Sequence, residues 1–433
     1  MPVYAMNCFK LPKSICEEID KIMANYWWNS QQDRSSTHWV AWDRMKYLKK
    51  EGDLGFRDIE KFNDALLAKQ AWRILQNPEC LMARTLKSRY FSKTNILNAS
   101  RGTLPSFGWQ SILHGQNLLK KGLRYTVGND RQIHTWVDPW LPVHPPRPPR
   151  HLGGAPIPNH TVTKLFLPYK TGWNEVEIRN TVHLDDVSLV LSIKLSPSQN
   201  KDFLGWHYTE TGTYTVKSGY WLATHFPDEE HVTRPPHGNP IIKQGIWKTH
   251  LPPKLKHFLW RMLSRALATG DEMEKRHIHN DRYCKRCVTE VETTEHLFFN
   301  CPHAMQIWRA SNIPLRSITN SQVTLERKIK EILEYHKHKG IYDLIAQLPI
   351  WIMWKIWRSR NQLIFQKKNN TWQKDLREAS EAVAYTWIPT KYNRPTDHLA
   401  KQQRGRISEF TFYSRIPDFI YFVTHNDNIT HIQ

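Results

Sequence analysis

Cysteine is scarce in this chain. Six thiols in 433 residues are too few for a disulfide scaffold, which excludes the small cross-linked secreted class and points to a reducing compartment. Long apolar runs are missing as well. No stretch approaches the ~20 residues of a membrane span, and Met1 to Lys13 lacks the apolar segment of a signal peptide. The chain is therefore expected inside the cell, nuclear or cytoplasmic, without a membrane partner. Glycine is low, at 18 residues, and 40% of positions are hydrophobic, which excludes disordered and low-complexity classes. Gly-x4-Gly-Lys-Ser/Thr, His-Glu-x-x-His, Gly-x-Ser-x-Gly and His-x-Glu are all absent, so no small-molecule substrate and no catalytic residue is expected. The last deficit is acid. Forty Asp and Glu against 61 Lys and Arg leave a formal charge of +21, the footprint of a protein that meets a polyanion, and RNA or DNA is the expected partner.

Against that thiol-poor background, Cys284-Lys285-Arg286-Cys287 followed by His296 and Cys301 is conspicuous. The spacing is C-x2-C-x8-H-x4-C. A CxxC puts two thiols at the tip of a tight turn, and His296 and Cys301 complete a tetrahedral Cys3His set from the next element. Such a shell leaves no position for water, so Zn2+ here is expected to be structural and not catalytic. His303 ranks below His296 as a ligand, because it lies too close to Cys301 for an unstrained chelate. Cys8, Cys16 and Cys80 read as unpaired small apolar residues. Most of the nineteen tryptophans sit in apolar patterns and read as core.

In chain order, apolar residues at helical spacing predict a helix from Ser14 to Trp28, then a strand-like run His38-Trp39-Val40-Ala41-Trp42. Helices follow at Ile59 to Leu75 and Leu81 to Tyr90. Tyr125 to Val127, a Gly128-Asn129-Asp130 turn and Gln132 to Trp136 predict a β-hairpin. Pro142 to Pro158 reads as a linker. Two short helices are expected at Glu175 to Thr181 and Asp185 to Leu191. A second hairpin is expected from Phe203 to Val216 about the turn Thr209-Glu210-Thr211-Gly212, then a helix capped by Ser218. Pro235-Pro236-His237-Gly238 is a shorter linker. Pro252-Pro253 opens a helix with Leu255, Phe258, Leu259, Met262 and Leu263 on one face. Thr294 is the expected cap of a helix carrying His296, Leu297 and Phe298. Further helices are expected at Leu325 to Tyr335 and Leu344 to Phe365.

Several of these blocks resemble a known family. Leu54-Gly55-Phe56-Arg57-Asp58, Ala68 to Leu75, Leu86 to Phe91, Pro105 to Ile112 and Trp136 to Leu141 are similar to the region after the polymerase in plant non-LTR (LINE-type) retroelement proteins. Trp247-Lys248, Pro252 to Arg261 and the Cys/His set resemble that family's reverse-transcriptase zinc-binding domain, and Trp354 to Asn361 its following helix. The resemblance implies a region that helps a polymerase grip RNA or DNA, with a separate reverse-transcriptase chain as a second partner. It also makes two absences informative. Polymerization needs paired aspartates in a strand-turn motif, whereas Asp185-Asp186 reads as an exposed helix start. The acidic set of a ribonuclease H domain is missing after residue 370, where Asp375, Asp397, Asp418 and Asp427 are scattered.

The expected fold is mainly α with small β-hairpins (α+β), in several small helical modules, one stapled by zinc. Along the sequence these are a helical post-polymerase segment (1–95), a Trp-rich hairpin module (96–142), a Pro-rich linker (143–160) and a hairpin–helix module (161–234). The zinc-binding domain (240–311), a helical extension (312–390) and a poorly ordered tail (391–433) complete the series. The expected function is a non-catalytic, zinc-containing retroelement fragment that binds RNA or DNA. Lys254, Lys256, Arg261, Arg265, Lys285 and Arg286 are the expected phosphate contacts. The alternatives are a zinc-stabilised protein-interaction scaffold or a decayed retroelement product.

Overall fold

A computed structural model describes residues 3–28, 37–128, 133–153, 159–168, 172–195, 202–227, 238–314, 317–318, 320–339 and 344–384. The chain forms two compact units, Met1–His38 with Phe56–Arg234, and Trp39–Gly55 with Pro235–Gln433. Most of the Pro235-Pro236-His237-Gly238 linker, residues 129–132 of the first expected hairpin and the expected tail lie outside the described residues. None of the described helices is long and apolar enough to cross a membrane.

The first unit is built on the helix Ile59–Gln76, which starts where the Asp58 carboxylate accepts from the Lys61 amide at 3.0 Å. Ala65, Leu66, Leu67, Ala68, Ala71, Trp72 and Ile74 are all buried, so more than one face of this helix is covered. The helix Phe107–Gly122 packs on it through Gly115, where a Cβ would stand 2.2 Å from the Leu67 carbonyl carbon. Only glycine permits that approach. The helix Val216–His225 packs on the same element, and the buried Tyr214 hydroxyl donates to the Ala65 carbonyl at 2.8 Å. Its cap is Thr215, with Ser218 closing a capping box three residues on, so the cap lies three residues before the expected Ser218.

Among the described residues, neither expected hairpin is seen. The strands β1 (Leu123–Thr126) and β2 (Phe203–Trp206) pair with each other, antiparallel, with Leu123 opposite Trp206 and Thr126 opposite Phe203. The Thr209–Gly212 turn is present, closed by Trp206 N–H to the Gly212 carbonyl at 2.7 Å, but Val216 already begins a helix. The long-range pairing is favoured because it buries Trp206 and Leu123 in the core beside Tyr214 and Leu222.

Over its described residues, the proline-rich stretch is held down instead of running free as a linker. Arg147 makes a bidentate pair with Asp186 at 2.8 and 2.7 Å, and Arg150 adds side-chain bonds at 3.2 and 3.1 Å and a backbone bond at 2.9 Å. Asp186 is fully buried, which corrects the exposed helix start expected for Asp185-Asp186; only Asp185 faces solvent. Hydrogen bonds from Arg147 first, opposed by burial, then those from Arg150, hold the Asp186 carboxyl well below the usual carboxylate range. A carboxyl that binds its proton more weakly when folded stabilises fully above the ordinary aspartate pKa of about 4 and loses that stabilisation as pH falls below it. Asp186→Asn is therefore expected to cost about 3 kcal/mol at neutral pH and to flatten the acid limb of unfolding below pH ~4. A variant with an unchanged acid limb in denaturant titrations would refute this.

The second unit buries Phe258, Phe298, Trp308, Ile329, Trp351, Ile356 and Ala379 in one core. Its helices include Pro240–Lys248, Pro253–Leu263, Pro302–Ala310, Leu325–Lys339 and Leu344–Gln366. A further helix, Trp372–Ala384, had no separate signal; Ala379 and Val383 are its buried residues, four apart, and Asp375 is buried with them. The run expected as a strand at His38 to Trp42 is irregular and leads into a one-turn helix, Trp42–Met45. It is followed by Asp53, which accepts from Trp260 Nε1 at 3.1 Å and pairs with the buried Lys243 at 3.5 Å. The fold is mainly helical with one two-stranded antiparallel sheet among the described residues, as its composition and periodicities imply.

Candidate metal centre

The CxxC lies at the tip of a short hairpin. Glu292 N–H bonds the Arg282 carbonyl at 2.8 Å, Cys284 N–H bonds Glu290 at 2.9 Å, and Val288 N–H closes the turn on Cys284 at 2.8 Å. Val288 follows the second cysteine at φ +65°, a left-handed conformation that a β-branched residue adopts only under tertiary constraint. The other two donors come from a single π-turn, His296–Asn300. Its bond from Cys301 N–H to the His296 carbonyl spans five residues at 2.7 Å, so one wide turn sets His296 and Cys301 side by side. Thr293, not Thr294, caps this turn, accepting from His296 N–H at 3.0 Å. Cys301 then precedes Pro302, which begins the helix Pro302–Ala310.

These elements bring Cys284, Cys287, His296 and Cys301 together, with all four donor atoms within 4.8 Å of one another. Cys284 Sγ and Cys301 Sγ are 3.9 Å apart, and Cys287 Sγ and His296 Nε2 are 3.4 Å apart. A tetrahedral ion with Zn–S of about 2.3 Å and Zn–N of about 2.05 Å sets those edges at about 3.8 and 3.6 Å. A disulfide would require about 2.05 Å. Donor type, number and spacing therefore all fit a closed Cys3His zinc shell. The Cys284 thiol is pushed up to about 12 by its contact with Cys301 and by burial, while the same contact lowers Cys301. His296 is raised by its contact with Cys284. His303 stays outside the group, its Nε2 bonded to Asp375 at 2.8 Å and its Nδ1 3.1 Å from Arg286.

Buried charges fasten the hairpin to the helices behind it. Glu292 and Arg360, both almost wholly buried, form an ion pair in which Arg360 Nε lies 3.2 Å from Glu292 Oε2, and Glu292 Oε1 also accepts from Gly270 N–H at 3.0 Å. Arg286, expected to face phosphate, turns inward. Its guanidinium bonds Ser359 and the Asn370 carbonyl and lies 3.7 Å from Asp375, with its side chain 6% exposed. The sequence did not indicate these roles: Ser359 and Arg360 lie within the block Trp354 to Asn361, Asp375 read as a scattered acid, and Glu292 carried no signal of its own.

The remaining expected phosphate contacts do not share one environment. Lys285 is exposed and paired with Asp281. Arg261 is half-buried and donates to the Ala266 carbonyl at 2.9 Å. Arg265 is exposed at φ +52°. Lys254 is exposed with Nζ 4.8 Å from the Trp351 ring centre, and Lys256 Nζ donates to the Trp247 carbonyl at 3.3 Å.

A family model described as zinc-binding in reverse transcriptase matches residues 214–308. An uncharacterized mitochondrial protein of Arabidopsis thaliana is 43% identical over 150 residues, which is 34% of this chain and 97% of that protein. A putative ribonuclease H protein of Arabidopsis thaliana is 29% identical over 378 residues, covering 83% of this chain but 58% of that longer protein.

Proposed function

This chain belongs to the plant retroelement-derived proteins that carry a reverse-transcriptase zinc-binding domain, and on that premise we propose that it is a zinc-stapled, non-catalytic LINE-type retroelement product that binds RNA or DNA backbones. The convergence of four donors within 4.8 Å carries the metal part of this reading. Cys284, Cys287, His296 and Cys301 would hold the ion. A zinc ion there supplies a closed cross-link without a vacant position for a reacting water. Cys284 and Cys301 are buried in the same core as Leu297, Phe298, Phe299 and Trp308, while Cys287 is partly exposed. The paired carboxylates at Asp185-Asp186 speak against metal-dependent catalysis there, since Arg147 and Arg150 already neutralise Asp186. The net charge of +21 supports a polyanion as partner.

Metal analysis of the full chain purified under reducing conditions is expected to give one zinc per chain. A folded, metal-free chain would overturn the staple. For the nucleic-acid part, the logarithm of the binding constant for a mixed-sequence oligonucleotide should fall linearly with the logarithm of salt concentration. A salt-independent constant would overturn it.

A further inference from the structure

Most cations beside the metal hairpin are already spoken for. Lys275 pairs with Asp271 and Glu272, Arg276 with Glu272, Arg282 with Glu274, Lys285 with Asp281 and Arg286 with Asp375. A guanidinium or ammonium that must leave a carboxylate to reach a phosphate gains little by the exchange.

A different group in the same unit has no such partners. Lys49 lies over the Trp247 ring, Nζ 5.2 Å from its centre, and Lys256 Nζ donates to the carbonyl of that same tryptophan at 3.3 Å. Lys248 and His250 extend exposed from the end of the helix Pro240–Lys248. Among the described residues none of these four forms an ion pair. Two of them repel each other: the Lys256 ammonium is held below the usual lysine range by burial and then by the charge of Lys49. The buried His336 imidazole is lowered by burial, then by His250. No carboxylate is among the causes of either shift. The acid nearest in sequence, Glu51, accepts from the Leu48 amide at 2.9 Å. Like charges gathered without counter-charge disfavour the free protein, and a polyanion laid across them relieves that repulsion.

Resting on the nucleic-acid reading above, we infer that the face formed by Lys49 and Lys256 at Trp247, with the exposed Lys248 and His250 next to it in sequence, is where this protein holds the phosphate backbone of RNA or DNA. The metal hairpin serves as scaffold and not as the contact. Lys49 covers a face of Trp247, so the tryptophan orders the ammonium instead of stacking on a base. Lysine ammoniums are point charges without a fork to read base edges, so binding is expected to be indifferent to sequence.

Fluorescence anisotropy on the full chain with labelled 20-nucleotide RNA, single-stranded DNA and duplex DNA tests this. Lys49→Gln/Lys256→Gln should weaken each complex at least tenfold at low salt and make the salt slope shallower by about 2. Lys49→Glu changes one exposed position and should weaken binding similarly, which keeps the test sound if the half-buried Lys256 proves needed for folding. Wild-type affinity in Lys49→Glu, with loss in Lys285→Gln, would return the contact to the hairpin and overturn the inference while leaving nucleic-acid binding intact. Displacement by polyglutamate at concentrations where RNA fails to bind would assign the face to acidic protein segments and also overturn it. No binding by the wild-type chain to any oligonucleotide would remove the parent reading itself.

Discussion

Cys287→Ser is expected to release the zinc entirely and to destabilise the second unit by about 3–5 kcal/mol, a fall of about 6–20 °C in its melting temperature. A serine hydroxyl stays protonated at neutral pH and cannot replace a thiolate, and three remaining donors leave an open, exchangeable position. In isolated zinc-finger peptides metal binding supplies about 10–16 kcal/mol, because nothing else holds the fold. Here the loss is expected to be smaller, since Phe258, Phe298, Trp308 and Trp351 add an extensive apolar core around the buried Cys284 and Cys301. The damage should be local first. Amide hydrogens of Cys284, Val288 and Glu292, which close the hairpin, should lose exchange protection while those of the helix Ile59–Gln76 keep theirs. Zinc content by mass spectrometry and hydrogen exchange on the same sample check both halves. A Cys287→Ser chain that retains a full equivalent of zinc would refute the four-donor assignment.

Arg360→Met is the second large effect. It leaves the Glu292 carboxylate, 1% exposed as a side chain, without its counter-ion. Removing one member of a buried pair typically costs about 3–5 kcal/mol, because the surviving charge stays desolvated. The Gly270 amide, 3.0 Å from Glu292, compensates only in part. The double variant Arg360→Met/Glu292→Met should recover much of the loss, since two apolar side chains bury without an orphaned charge. Chemical denaturation of the single and double variants measures this directly. Equal destabilisation by the single and the double change would show that the pair matters through packing and not through charge.

How much of this was legible beforehand follows from how local each signal is. The metal donors were readable because their spacing is itself the chemistry: two residues between the first thiols and a His/Cys pair within one further turn. Helices such as Leu81–Tyr90 and Glu175–Thr181 were readable from local sequence, at the bounds expected. The strand pairing was not. Turn residues near Gly128 and Gly212 nominated the nearest neighbour in sequence, whereas Leu123 and Trp206 meet across a separation that no local pattern encodes. Arg286 misled for a related reason. A cation inside a metal turn reads as facing solvent until the helix Trp372–Ala384 supplies Asp375, and neither that helix nor its buried acid stood out in the sequence. Asp186 repeats the lesson, since its partners Arg147 and Arg150 lay in a proline-rich stretch that suggested a spacer.

The passage of Trp39–Gly55 into the second unit has a consequence for how that unit can be made. Its parts are threaded through the chain in two instalments, and a ribosome delivers Asp53 long before Lys243 and Trp260, the groups it serves. A clone begun at residue 235 would remove Asp53, the carboxylate paired with the buried Lys243, and one trimmed to the matched span 214–308 would remove Glu326, whose charge also favours that ammonium, as well. Excising the zinc module by its sequence borders thus discards a piece of it, and a faithful fragment must splice the early instalment back in.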